Sequence, residues 1–286
     1  MKKLIERLLV FLIGIPAVIG LVIYLPYLNN LALNLVVIFF SAMGAVEFSS
    51  MLEKKQIKIS KVESFIYGAL APLAVALNIS FGLPQWIVPL VIMAGAGWAL
   101  VSGVFSRQTE IEPLTNKIIG GFSLIIYPGI FILWLVKMTG WGNPDIILLF
   151  LFITFANDSF GWLFGTLFGK NNRGIIAVSS NKSIVGYIGG LFGSIIVAIG
   201  AVYLFPAVYS STLPVSALLP FAVIIGFCTG IAASLGDLAE SAIKRSCDFK
   251  DSGNFMLGRG GVLDSTDSIS IAAPVFYMLY YFLFLG

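Results

Sequence analysis

Long apolar runs separated by short polar connections dominate this chain. Nine such runs fall near residues 8–26, 31–51, 64–82, 85–105, 118–138, 145–167, 184–205, 216–236 and 268–285. Each is close to the roughly 20 residues a helix needs to cross a bilayer, where every backbone polar group must be satisfied within the segment. None shows the short apolar–polar alternation of a membrane β-barrel. The pattern therefore predicts an all-α integral membrane protein with about nine transmembrane helices. It reads as one polytopic domain, with N-terminal helices over 1–138 and further helices over 139–286 interrupted by polar segments at 168–183 and 237–267. The first run contains Pro16 and Pro26 and has no small-x-small cleavage site, so it is expected to be a retained helix rather than a signal peptide.

Charge adds orientation. Alternating the spans from a cytoplasmic N-terminus places 16 of the 17 basic residues on the inner side. These are Lys2, Lys3 and Arg7; Lys54, Lys55, Lys58 and Lys61; Arg107 and Lys117; Lys170, Arg173 and Lys182; and Lys244, Arg245, Lys250 and Arg259. Lys137 is the exception, at a position where its long side chain can snorkel. Positive residues favour the cytoplasmic side, so the C-terminus is expected outside. The overall composition, 58% hydrophobic and 11% charged, agrees with a membrane protein. The chain has no histidine, which removes histidine bases, nucleophiles and metal ligands together. Cys228 and Cys247 have no metal-ligand spacing and read as free thiols. Nothing points to nucleic acid.

The chemistry concentrates in 237–267, which holds 6 of the 14 acidic residues: Asp237, Glu240, Asp248, Asp251, Asp264 and Asp267. Lys244, Arg245, Lys250 and Arg259 accompany them. Carboxylates suit a hard cation such as Mg²⁺, and lysine and arginine suit phosphate. Asp237, Glu240, Ser241 and Lys244 share one face if the eighth helix continues past its apolar part. Asp264 and Asp267 lie three apart at the start of the last span, after Gly260 and Gly261, which permit positive φ or close backbone approach. Ionisable groups beside or within the membrane are costly and usually functional, which singles out Asp237 and also Asp158 within the sixth span. Gly161, Gly165 and Gly169 recur every fourth residue, a spacing for close helix packing within the chain or between subunits. Glu47 lies about a turn from the inner end of the second span, where snorkelling would account for it.

These segments together resemble the phosphatidate cytidylyltransferase (CDP-diacylglycerol synthase) family. Its signature runs S-x-x-K-R-x4-K-D-x-G, then H-G-G-x-x-D-R-x-D. Ser241, Lys244, Arg245, Lys250, Asp251 and Gly253 match its first part, and Gly260, Gly261, Asp264 and Asp267 match its second. Asp158, Gly169, Lys170 and the stretch from Ser179 to Gly186 are similar to an upstream family region, and Glu47 matches a glutamate of an early helix. The chain departs at Arg259 (usually His), Ser265 (usually Arg), Met256 and Leu257 (usually an aliphatic-Pro pair), 180–183 (usually Pro-Lys-Lys-Thr) and Val185 (usually Glu).

The resemblance implies transfer of CMP from CTP to phosphatidate, giving CDP-diacylglycerol and pyrophosphate for phospholipid biosynthesis. It implies Mg²⁺, with or without a second metal or a monovalent cation, at Asp237, Asp264 and Asp267. Lys244 and Arg245 would join those aspartates in catalysis. Substrates would be bound by Lys250, Asp251, Lys182, Ser179, Arg259, Gly260, Gly261, Asp158, Glu240 and Ser241. It also implies a multi-pass location in the bacterial inner membrane with the site at the cytoplasmic side. Two other readings share the charged residues, a CTP-dependent polyprenol kinase and a secondary transporter. A homodimer through glycine-faced helices is a further expectation from spacing.

Overall fold

The computed structural model describes residues 10–102, 114–209, 213–256, 258 and 260–286. Lys2, Lys3, Arg7, Arg107 and Arg259, all used in the sequence reading, lie outside the described residues. The helices are α1 (Ile15–Tyr24), α2 (Tyr27–Glu53), α3 (Lys61–Phe81), α4 (Ile87–Val101), α5 (Leu114–Leu124), α6 (Leu133–Thr139), α7 (Pro144–Phe168), α8 (Ile184–Leu204), α9 (Val215–Ser246) and α10 (Leu263–Tyr280). A π-helical turn at Ile125–Ile130 joins α5 to α6 around Pro128, where proline's missing N–H interrupts the regular ladder. Among the described residues β-type pairing is confined to two isolated bridges, Arg173 with Ser183 and Met256 with Gly260.

Among the described residues seven helical segments are long and apolar enough to cross a membrane: Tyr27–Glu53, Lys61–Phe81, Leu114–Thr139, Pro144–Phe168, Ile184–Leu204, Val215–Ser246 and Leu263–Leu285. The chain is a multi-pass membrane protein. The first and fourth expected spans correspond to shorter apolar helices, Leu12–Tyr24 and Ile87–Val101. At 15 residues, the latter spans about 22 Å, short of a hydrocarbon core about 30 Å thick.

The chain divides into two compact units. The first comprises the chain up to Gly142 together with Lys244–Thr266. Its helices α2 and α3 touch closely at Gly68, where a Cβ would fall 2.6 Å from the Ser41 carbonyl oxygen. The Ser41 hydroxyl lies 2.6 Å from the carbonyl oxygens of both Gly68 and Pro128, so it serves the backbone loosened by that proline. Helix α2 begins irregularly, with Leu28, Asn29 and Asn30 at φ of 51–57°. Asparagine tolerates this region through local hydrogen bonds, and the buried Asn30 side chain donates to the Val22 carbonyl at 2.9 Å. Ser60 caps α3 reciprocally with Glu63.

The second unit comprises Asn143–Ile243 and Asp267–Gly286. The glycines spaced by four on α7 face α8 of the same chain. A Cβ at Gly161 would meet the Gly186 carbonyl at 3.3 Å, and one at Gly165 would meet Ser183 Oγ at 3.3 Å. The glycine stripe is thus used inside the chain. Asn157 joins α7 to both neighbours. Its Nδ2 donates to Ser194 Oγ and to the Gly230 carbonyl, each at 3.1 Å, and its Oδ1 accepts from Ser234 Oγ at 3.0 Å. All of its hydrogen-bonding groups are therefore engaged, as a buried amide requires. Asn143 caps α7 and Ser183 caps α8.

Candidate active site

Each unit presents its own polar cluster. The first is built on the loop after α9 and on the first turn of α10. Helix α9 continues through Ser246, so Asp237, Glu240, Ser241 and Lys244 do lie on one continuous helix. Lys244, in its last turn, reaches Asp264 with Nζ 2.5 Å from Oδ1. Both side chains are mostly buried. The other Asp264 oxygen, Oδ2, accepts the backbone N–H of Ser252 at 2.8 Å and of Gly261 at 2.7 Å. Gly260 has φ of +104°, and a Cβ there would collide with Asp264. Its N–H and carbonyl close a small bridge with Met256.

Glu47 enters this cluster from α2. It is not snorkelling, since only 8% of it is exposed. Oε1 accepts the Val262 N–H, and Oε2 accepts the Leu263 N–H and the Ser252 hydroxyl, all at 2.9 Å. Ser252 Oγ in turn accepts the Asp264 N–H at 3.2 Å. The amides of Gly261, Val262, Leu263 and Asp264, which a helix start leaves without intrahelical partners, are therefore all satisfied by three side chains. Two glycines make room for the carboxylate. A Cβ at Gly253 would fall 2.5 Å from Glu47 Oε1, and one at Gly261 would overlap Glu47 and Ser252. The close backbone approach allowed by Gly261 is thus an approach to Glu47. Arg245, Lys250 and Asp251 lie on the exposed side of the same segment, with Arg245 Nη1 donating to the Phe249 carbonyl at 3.2 Å.

The second cluster gathers Asp158, Lys182, Asp237, Glu240 and Asp267. Lys182 forms an ion pair with Asp237 and lies over the Tyr187 ring. Glu240 is fully buried and Asp267 nearly so. The carboxylates of Glu240 and Asp158 lie within Coulombic reach of Asp267, as does Lys182. Asp158 Oδ1 accepts the Ser268 hydroxyl at 3.2 Å. A Cβ at Gly236 would collide with the Asp267 carbonyl, so the residue before Asp237 must be small for α9 and α10 to meet. Ser179 and Ser241 are half-buried.

Sequence reasoning identified most of these side chains but missed Ser252, which occupies a variable position of the signature. It also left Glu47 as a peripheral residue. A glutamate inside an apolar helix, which also matches a glutamate of the resembled family, was the available signal.

The sequence has matches among known proteins. The model of the cytidylyltransferase family matches residues 5–283. The chain is 31% identical over 269 residues to the phosphatidate cytidylyltransferase of Staphylococcus aureus (strain COL), covering 93% of this chain and 96% of that protein. It is 30% identical over 269 residues to that of Staphylococcus haemolyticus, with the same coverage. The protein of that name from Chlamydia pneumoniae is 28% identical over 267 residues, covering 88% of this chain and 83% of its own. The chain belongs to the cytidylyltransferase family.

Proposed function

We propose that this protein is a phosphatidate cytidylyltransferase that transfers CMP from CTP to phosphatidate. The observation that carries the reading is the match across nearly the whole chain to relatives of that name, including the segments that hold both polar clusters. A phosphatidate oxygen attacks the α-phosphorus of CTP, a P–O bond forms, and the bond to the β-phosphate breaks to release pyrophosphate. The nucleophile is already anionic, so the reaction requires no histidine base. The protein's task is to hold two anions together and offset charge on the transferring and departing groups. Lys244, Arg245, Lys250, Lys182 and Arg259 are assigned to the phosphates, with Ser179, Ser241, Asp158, Glu240, Asp251 and the Gly260–Gly261 backbone shaping their surroundings. The polyprenol kinase and transporter readings gain no support from the family match.

The carboxylates fit Mg²⁺ by donor chemistry, since all are hard oxygen ligands. Among the described residues no three acidic or thiol side chains converge at ligating range. Mg²⁺ commonly takes one or two carboxylates, with substrate phosphates and water completing its shell. Asp237 and Asp264 are each engaged by a lysine ammonium, which marks both as carboxylates that receive a cation. Asp237, Asp264 and Asp267 are accordingly the residues assigned to Mg²⁺, which would supply charge neutralisation at the reacting phosphates. The basic residues of the 168–183 and 237–267 segments support a cytoplasmic site, with the C-terminus outside, and the bacterial relatives support an inner-membrane location.

Incubation of the purified protein with CTP, phosphatidate and Mg²⁺ tests the reading. CDP-diacylglycerol and pyrophosphate are expected by mass spectrometry, both lost with EDTA. A phosphorylated lipid with CDP as the second product would replace nucleotidyl transfer by kinase chemistry.

A further inference from the structure

We infer that Glu47 is a positioning residue that fixes the orientation of Asp264 through Ser252 and the first turn of α10. The argument is one of connectivity. The Glu47 carboxylate holds the Val262 and Leu263 amides and the Ser252 hydroxyl. Ser252 then contacts Asp264 twice, accepting its N–H through Oγ and donating its own N–H to Oδ2. Gly261, whose lack of a side chain admits Glu47, donates its N–H to the same oxygen. The result pins Oδ2 to the backbone and leaves Oδ1 turned to Lys244. An aspartate alone on a helix start could choose between rotamers, but this one has both oxygens allotted. Glu47 lies more than 200 residues away in the chain from the groups it holds, so no local propensity provides the clamp. Supporting groups that orient a reacting-site ligand typically matter by about 10- to 100-fold in activity.

The turnover part of this inference rests on the cytidylyltransferase reading, whereas its structural part does not. Two readouts on the full-length protein in detergent keep them apart, using Glu47→Gln and Ser252→Ala. Glu47→Gln keeps the length of the side chain but replaces one acceptor oxygen with an NH₂ group that faces donors. Hydrogen–deuterium exchange is expected to quicken at least about tenfold in peptides covering 250–264 of either variant, with peptides of α7 and α8 unchanged. Turnover of CTP is expected to fall at least about tenfold for each, with KM for CTP altered less than about twofold. Because the two residues act in one chain of contacts, the double variant should be no more than about threefold slower than the slower single variant. Unchanged exchange at 250–264 would overturn the inference whatever the activity. Quickened exchange with wild-type turnover, or multiplicative losses in the double variant, would reduce Glu47 to a structural role and also overturn it. Should the wild-type protein make no CDP-diacylglycerol, the functional reading falls and the clamp is decided on exchange alone. Ser252→Ala carries the test if Glu47→Gln does not fold.

Discussion

Asp264 and Asp267 stand three residues apart on one helix, yet their surroundings are opposite in kind. Asp264 is ringed by donors: an ammonium group and two backbone N–H groups. Asp267 is faced chiefly by other acids, Glu240 and Asp158, with Lys182 also within Coulombic reach, and its Oδ1 accepts the N–H of its own neighbour Ser268 at 2.6 Å. The first arrangement satisfies a carboxylate from within the protein. The second gathers carboxylates in a buried place, where ionising them together costs stability beyond what one lysine offsets. One helix thus carries a carboxylate that the fold stabilises and another that the fold tolerates, a contrast expected where a protein keeps strain for function.

The contrast can be broken by experiment. The largest effect is expected from Asp264→Asn, which leaves the mostly buried Lys244 without its anion. Thermal unfolding in detergent should show a loss of about 3 kcal/mol, and cytidylyl transfer should fall by at least about 100-fold. Lys244→Met should cost less, about 2 kcal/mol, because the Ser252 and Gly261 amides still serve Asp264. Asp267→Asn should act in the opposite direction on stability. Without Mg²⁺ it should gain about 1 kcal/mol by relieving like-charge contact, and added Mg²⁺ should raise the unfolding midpoint of the wild type more than that of this variant. The smallest effect is expected from Lys182→Met. Its pair with Asp237 is partly exposed, so the stability cost should stay below about 1 kcal/mol. If Asp267→Asn were as destabilising as Asp264→Asn, the two carboxylates would not differ in the way described.

Much of this organisation is legible in the sequence, because apolar length and charge placement follow directly from the bilayer. The run from Leu31 to Met51 gave the regular part of α2, and the asparagines just before it occupy the left-handed start. The polar tail of the eighth span continued as helix because nothing between Asp237 and Ser246 breaks it: no proline, and no glycine after Gly236. The short fourth helix was harder to foresee, since hydropathy records composition but not where backbone geometry ends a helix. The spacing of Asp264 and Asp267 marked both as site candidates. It could not show their opposite surroundings, which depend on Glu47 and Ser252 in one case and on Asp158 and Glu240 in the other. Nor could the period of Gly161, Gly165 and Gly169 tell an internal packing face from a subunit contact. The partner helix, α8, supplies that answer through Ser183 and Gly186.

The saturated start of α10 has a consequence for how the protein meets its substrates. The exposed amides and positive macrodipole end of a helix are a ready anion-binding site, and a double glycine just before one looks like a phosphate cradle. Here Glu47, Ser252 and Asp264 already occupy those amides, and two of the three bring carboxylates to the helix's positive end. Under the proposed reading, phosphate recognition at this point falls to long cationic side chains rather than to rigid backbone, and such side chains can exchange one anion for another as substrate arrives and product leaves.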